Sequence, residues 1–243
     1  QYDTNTKTFT IGFENNEYDE SVEAKNIANY LGTDHTEYLF SEDSVIKMIP
    51  KVSQAFSEPF ADSSQIPTML VSNIASQKVK VALSGDGGDE LFCGYNRYLY
   101  AHKYWKIIKI LPYKLRIKLI KFIRLIPSKI YTRIILLLLP KIIGSNFNHV
   151  DKILDKLIKI KDMKSYYQTM TTEWNSDDNI MDFSNFETNE SKVFDEEYFL
   201  DSMMLNDFKA YLCDDILCKV DRSSMYYGLE VRTPYLMFEL IEE

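Results

Sequence analysis

Apolar positions in the first third of the chain follow two different periods. Thr8 to Phe13 is a short Thr/Phe/Ile run with Gly12 near its end, and Asp34 to Phe40 reads as a second strand. Between them Tyr18-Asp19-Glu20-Ser21 opens a helix with acids in its first turn. Val22, Ile27, Tyr30 and Leu31 space its apolar face, and Gly32 stops it. Ser41-Glu42-Asp43 caps a further helix with Val45, Ile46 and Ile49 apolar. Pro67 to Gln77 gives one more helix before Val79 to Leu83 returns to strand alternation. The order strand, helix, strand, helix, helix, strand predicts a parallel sheet with helices on both faces. Ligands in such sheets bind beyond the carboxyl ends of the strands, which predicts Ile11-Gly12-Phe13 and Ser84-Gly85-Asp86 along one edge.

The pattern then changes. From Arg97 to Ile143, lysines alternate with apolar residues through Tyr104, Trp105, Ile107 and Ile108, then through Leu115, Ile117, Leu119 and Ile120, with Pro112 and Pro127 as breaks. These are short, basic, amphipathic helices. Asp151 to Met163 continues as a charged helix, Tyr166 to Trp174 forms another, and Asn175 to Asn189 reads as a loop. Helical periodicity returns from Glu196 through Phe199, Met203 and Leu212 and continues to Arg222, placing Asp215 and Lys219 four apart on one face, with Cys218 and Arg222 likewise. The segment Glu230 to Pro234 ends that helix. Three regions result: 1–98 as a partial α/β nucleotide-binding core, 99–195 as a basic helical subdomain and loop, and 196–243 as helices returning to the site.

Composition sharpens this picture at two points. With 45% apolar residues the chain can bury a core, and its net charge of −8 hides a division, because residues 91–150 hold twelve Lys or Arg and no Asp or Glu. Those basic helices either pack on the α/β core with their lysines solvated or form a surface for anionic lipid, nucleic acid or an acidic partner. Cys93, Cys213 and Cys218 have no metal-binding spacing and give no disulfide framework, so a reducing cytoplasm is expected. The longest apolar run, Ile134 to Leu139, falls far short of a membrane span.

The candidate chemistry is concentrated after the strand ending at Leu83. In Ser84-Gly85-Asp86-Gly87-Gly88-Asp89-Glu90 the glycines allow backbone N–H groups to face an anion, and the carboxylates suit Mg²⁺ beside a nucleotide phosphate. Asp62-Ser63-Ser64 reads either as an N-cap for the helix at Pro67 or as part of the site. Lys219 and Arg222, with Asp221 between them, suit orientation of a phosphate or carboxylate. His35 lacks any nucleophile or metal-ligand spacing and reads as structural.

Ser84 to Tyr95 resembles the second nucleotide-site motif of the asparagine synthetase family. Three further stretches match in order: Thr8 to Phe13, Glu58 to Ser64, and Lys219-Val220-Asp221-Arg222 leading to Gly228 to Leu236. The resemblance implies a Rossmann-like parallel sheet flanked by helices, of the adenine nucleotide alpha hydrolase (PP-loop) type, with a helical subdomain. It implies a ligase using ATP and Mg²⁺ to convert aspartate to asparagine through an aspartyl-adenylate, with ammonia from a glutaminase domain. Residue by residue, it places Ile11, Ser84 and Gly85 on the nucleotide, Lys219 and Arg222 on phosphate or substrate, Asp89 on Mg²⁺ and Asp86 in formation and use of the adenylate. Asp86 stands where many relatives have Glu, and Met237 stands where the family commonly has Asp.

Other parts of the family pattern have no match. A Ser-Gly-Gly-x-Asp-Ser loop, the central strand that feeds it, the glutaminase domain and a downstream lysine are all missing from this sequence. The resemblance therefore implies an internal fragment, with the sheet incomplete and the fragment alone inactive. Relatives with this motif set amidate sugars or peptides or close lactam rings, so another carboxylate is the alternative substrate, and a non-catalytic basic binding module is the alternative class. No nucleic-acid partner is expected, and a homodimer is left open.

Overall fold

The computed structural model describes residues 6–13, 21–138, 147–171, 194–195 and 197–242. The acidic helix opening at Tyr18 to Glu20, the loop at Asn175 to Asn189, and the parts of the predicted helices beyond Thr171 and Leu138 lie outside those residues. The chain forms two compact units, one of Gln1–Leu91 with Phe208–Glu243 and one of Phe92–Asp207.

In the first unit, β1 (Lys7–Phe13), α1 (Ser21–Leu31), β2 (Asp34–Phe40), α2 (Glu42–Ala55), α3 (Gln65–Ser76) and β3 (Val81–Leu83) follow the expected order. β1 and β2 pair in parallel from Lys7 opposite Asp34 to Phe13 opposite Phe40. Ser41, in extended backbone, caps α2 by accepting from the Ser44 N–H. Helix α3 starts two residues before Pro67, since proline needs no N–H within the first turn of a helix. Phe40, Met48, Phe56, Met69 and Leu70 form the buried centre, with Ile11, Val52, Phe60 and Tyr227 packed around it.

The sheet is incomplete, as the lack of a central strand between the two motif-bearing strands implies: β1 pairs with β2 and β3 with β4 (Glu230–Arg232) in two separate two-stranded sheets, in a mostly helical chain. Both pairs are parallel, but β1 and β3 share no backbone bond. Glu230–Arg232, read as the end of a helix, is the strand that closes β3: the Glu230 N–H donates to the Lys80 carbonyl and the Ser84 N–H to the Arg232 carbonyl. The preceding helix stops earlier because Gly228 takes φ 66°, a left-handed conformation that ends helices. A related correction concerns α1. Val22, Ile27, Tyr30 and Leu31 are exposed, and Ala28 and Ser21 are the buried residues. A two-stranded sheet offers a narrower surface than the apolar stripe of an 11-residue helix presents.

The second unit contains α5 (Asn96–Ile108), α6 (Tyr113–Ile123), α7 (Ser128–Leu138), α8 (Phe147–Lys159), α9 (Met163–Thr171) and α10 (Phe199–Asn206), following the short α4 (Gly88–Phe92). Pro112 and Pro127 stand just before α6 and α7, as the breaks required. Two cores result. Tyr98, Ala101, Trp105, Tyr166, Tyr167, Phe199 and Met203 form one, with the Trp105 and Tyr166 rings stacked 5.9 Å apart. Ile120, Tyr131, Val150 and Leu154 form the other. Two arginines of the basic segment are internal staples. Buried Arg116 donates to the carbonyls of Leu157, Ile108 and Ile160, closing chain ends that have no helical partners. Arg97 donates twice to Asp207.

Candidate functional site

A cavity of about 860 Å³ in the first unit is bounded by the start of β1, by α3 and by β3. Its wall includes Thr6 to Phe9, Thr68, Ser72, Val81 to Ser84, Asp86, Lys219 and Val220. Strands β1 and β3, which do not bond each other, thus line the same space. Most of that lining is apolar, and among its polar residues are Ser84, Asp86 and Lys219, which contribute a hydroxyl, a carboxylate and an ammonium.

Ser84 follows β3 directly, where its N–H extends the ladder to Arg232. Its hydroxyl donates to the Asp86 carboxylate and accepts from the Asp86 N–H, folding the loop back on itself. The chain then turns through a Gly88 N–H to Gly85 carbonyl bond into α4. The glycines do not all serve a ligand. A Cβ on Gly87, which has φ 88°, would lie 2.4 Å from Leu236 Cδ2, and one on Gly88 would lie 3.2 Å from the Tyr235 ring. These two positions admit the Tyr235-Leu236 pair of the C-terminal motif. Gly85 has nothing within 4 Å of its virtual Cβ and remains open on the loop.

Lys219 is buried, and its ammonium is occupied. It donates to Asp62 Oδ2 at 2.5 Å and to Ser64 Oγ at 2.7 Å, so the lysine that shares a helix face with Asp215 forms its ion pair across 157 positions instead. Asp62 also accepts from the Ser64 N–H and hydroxyl at 2.7 Å each. Ser64 precedes α3 but makes no side-chain cap bond. The motif therefore works as an Asx turn that presents Asp62 to Lys219, rather than as an ordinary helix cap. Burial pushes the Asp62 carboxyl up, but the Lys219 and Ser64 hydrogen bonds outweigh it and hold the group below its ordinary value. Asp215 shows the opposite balance: burial first, then the neighbouring Asp62 charge, push its carboxyl up. Its Oδ1 is buried with no hydrogen-bond partner among the described residues, as is Ser223 Oγ.

The Asp62–Lys219 pair should be a measurable part of the stability. Removing one partner of a buried pair strands the other charge, so Asp62→Ala is expected to cost about 3 kcal/mol in a urea titration at neutral pH. The loss should shrink at acid pH. A carboxyl held low in the folded state stabilises above its unfolded value and loses that contribution as pH falls through its folded value. The gap between variant and parent should accordingly close below the model-compound Asp value of 3.8. An unchanged gap at low pH would assign the loss to something other than the ion pair.

The remaining sequence-predicted residues lie apart from the cavity wall. Ile11 packs on the core around Phe40 and Met69. Asp89 is exposed in the first turn of α4, and Arg222 is exposed on its helix. For Mg²⁺ the available donors are the Asp86 and Asp89 carboxylates, three residues apart. No set of three His, Cys, Asp or Glu gathers among the described residues. Such a sparse set fits Mg²⁺ better than a fully protein-caged cation, because Mg²⁺ takes one or two carboxylates and completes its shell with water and substrate phosphate. Asp62 is the site-region residue that the sequence does not place against Lys219. The distance along the chain between Asp62 and Lys219 leaves no periodic signal.

Comparison with known proteins follows the same residues. Residues 1–242 match the family described as asparagine synthase. A provisionally named second glutamine-hydrolyzing asparagine synthetase of Methanocaldococcus jannaschii is 42% identical over 123 residues, covering 51% of this chain and 22% of that protein. Asparagine synthetase 1 of Bacillus subtilis, also glutamine-hydrolyzing, is 28% identical over 236 residues, covering 97% of this chain and 35% of that protein. The glutamine-hydrolyzing asparagine synthetase of Asparagus officinalis is 33% identical over 106 residues, covering 42% of this chain and 17% of that protein. The chain thus spans about a third or less of the length of these relatives. With its match running from residue 1 to residue 242, the chain belongs to the asparagine synthase family.

Proposed function

We propose that the protein of which this chain is part forms an amide from a carboxylate, using ATP for activation and glutamine as the source of ammonia, with aspartate as the carboxylate and asparagine as product. The observation that carries this reading is the cavity lined both by Ser84 and Asp86 of one motif and by Lys219 of another. A carboxylate cannot lose oxide at neutral pH. Joining it to the α-phosphate of ATP, with departure of pyrophosphate, makes AMP the leaving group for attack by ammonia.

The residues divide the work on this reading. Ser84 and Gly85 hold the nucleotide through hydroxyl and open backbone, with Ile11 toward the adenine or ribose. Asp86, half-buried beside Ser84 Oγ, takes a proton from the attacking ammonia. Arg222, exposed and without an ion pair among the described residues, faces phosphate or substrate carboxylate. Lys219 acts through Asp62 and Ser64, and so orders the wall rather than gripping substrate directly. Asp89 would hold Mg²⁺, which when bound would neutralise charge on the departing pyrophosphate.

Two measurements test the reading. The full-length protein with aspartate, ATP and glutamine should yield asparagine, AMP and pyrophosphate in equal amounts. Release of ADP and phosphate, or a preference for a sugar or peptide carboxylate, would overturn it. Residues 1–243 alone, given aspartate, ATP and ammonia, should release pyrophosphate no faster than a protein-free control. Robust turnover would show that the cavity lined by β1 and β3 suffices by itself.

A further inference from the structure

We propose that helices α5, α6 and α7 of the second unit form a docking surface for an anionic lipid bilayer. The argument starts on α6. Its inner side, Arg116, Ile120 and Ile123, is turned into the unit, and its outer side carries two parallel rows. Lys114, Lys118 and Lys121 stand at i, i+4 and i+7, all exposed. Leu115, Leu119 and Phe122 stand one position further along at the same spacing, 53%, 48% and 65% exposed. With 100° between successive residues on a helix, the two rows run side by side along the solvent face.

An ordinary solvated face carries the lysines without the second row. The same arrangement recurs twice. On α7, exposed Lys129 and Arg133 lie beside exposed Ile130 and Ile134, opposite buried Tyr131. At the end of α5, Lys106 and Lys109 adjoin exposed Ile107 and Ile110, the latter 78% exposed. No Asp or Glu occurs between residues 91 and 150, and no ion pair engages the α6 lysines among the described residues. The arginines of this segment with structural partners, Arg97, Arg116 and Arg124, the last paired with Asp155 of α8, are not part of the rows.

Charge identifies the occupant as anionic, and the aliphatic rows identify it further. A nucleic-acid backbone offers phosphates to lysine but nothing that buries leucine or isoleucine. A lipid surface accepts both at once, because the apolar row enters the boundary between headgroups and acyl chains while the lysine stems reach back to the headgroups. Repetition on three helices also suits a broad, fluid surface better than a shaped protein groove. Among the described residues no helix is long and apolar enough to cross a membrane, so the contact is peripheral.

The test is co-sedimentation of the full-length protein with vesicles of phosphatidylcholine alone and of equimolar phosphatidylcholine and phosphatidylserine. Binding is expected only to the phosphatidylserine vesicles at low salt. Replacing Lys114, Lys118 and Lys121 with Gln should weaken it by roughly a hundredfold, since each juxtamembrane lysine contributes about fivefold. Replacing Leu115, Leu119 and Phe122 with Gln should weaken it at least about tenfold at unchanged charge. Circular dichroism checks that both variants stay helical; should either fail to fold, titrating the phosphatidylserine fraction with the unaltered protein decides. Absence of binding at low salt overturns the proposal. So does binding that the apolar replacements leave intact and that double-stranded RNA or an acidic protein competes away, which would mark a general polyanion site.

Discussion

Asp207→Ala is expected to cost roughly 5 kcal/mol and to unfold the second unit well before the first. Asp207 has no solvent exposure and sits where α10 passes into a π-helical stretch, Asp207–Leu217. One oxygen accepts from Arg97 Nε at 3.0 Å, Arg97 Nη2 at 2.8 Å and Tyr98 Oη at 2.5 Å, and the other accepts from Tyr167 Oη at 2.5 Å. Four donors from α5 and α9 thus converge on a single carboxylate. Burial and the bond to Asp207 push the Tyr98 phenol well above its ordinary value. Alanine would remove the acceptor shared by two buried phenols and a half-buried guanidinium in the core that also holds Trp105 and Phe199. A cost of that size takes up much of the stability of a typical domain. Hydrogen exchange should show protection lost in α5, α9 and α10 while β1 and β2 keep theirs. Asp207→Asn retains one acceptor oxygen and should recover part of the loss. A drop below about 1 kcal/mol for alanine would mean that water replaces the carboxylate and that the cluster does not hold the unit.

The contrast between Asp207 and the Ser84 loop explains which features the sequence could reveal. Ser84 to Glu90 was legible because its chemistry is local: a strand ends, apolar residues stop, and glycines and carboxylates follow within one turn. The α2 cap at Ser41 and the breaks at Pro112 and Pro127 were legible for the same reason, each being set by backbone chemistry within a few residues. Asp207 with Arg97, and Asp62 with Lys219, are pairs more than a hundred positions apart. Each member alone looks like a charge on an amphipathic helix or a cap. Strand β4 is hidden because its three residues are too few to show alternation, and Pro234 just beyond it gives a stronger signal for a helix end. The exposed face of α1 marks a different limit. Periodicity locates an apolar stripe, but not whether a partner surface covers it.

Even the glycines of the loop had a second meaning. Their pattern suggests freedom for a ligand to approach the backbone, and Gly85 has open space at its virtual Cβ. Gly87 and Gly88 instead make room for Leu236 and Tyr235, so the nucleotide-site motif and the C-terminal motif hold one another in position. Ser84 and Arg232 repeat the connection through the backbone. The loop's geometry therefore depends on residues far along the chain.

That dependence bears on the largest functional effect expected. In the full-length protein, Asp86→Asn should reduce amide formation by about 10²–10⁴ while leaving the fold intact, since asparagine can still accept the Ser84 hydroxyl and the Gly87–Leu236 contact is untouched. On the proposed mechanism the loss falls on one half of the reaction. Pyrophosphate release from ATP and aspartate without ammonia reports activation, and asparagine formation reports attack by ammonia. If Asp86 removes a proton from ammonia, the first should fall little and the second severely, because amide oxygen and nitrogen are poor bases at neutral pH. Raising the ammonia concentration should not restore the rate, as the missing function is proton removal rather than binding. A variant that loses pyrophosphate release to the same degree would assign Asp86 to holding Mg²⁺ or phosphate. A variant with both steps unchanged would remove Asp86 from the reaction, and with it the reason for placing the chemistry on this wall of the cavity.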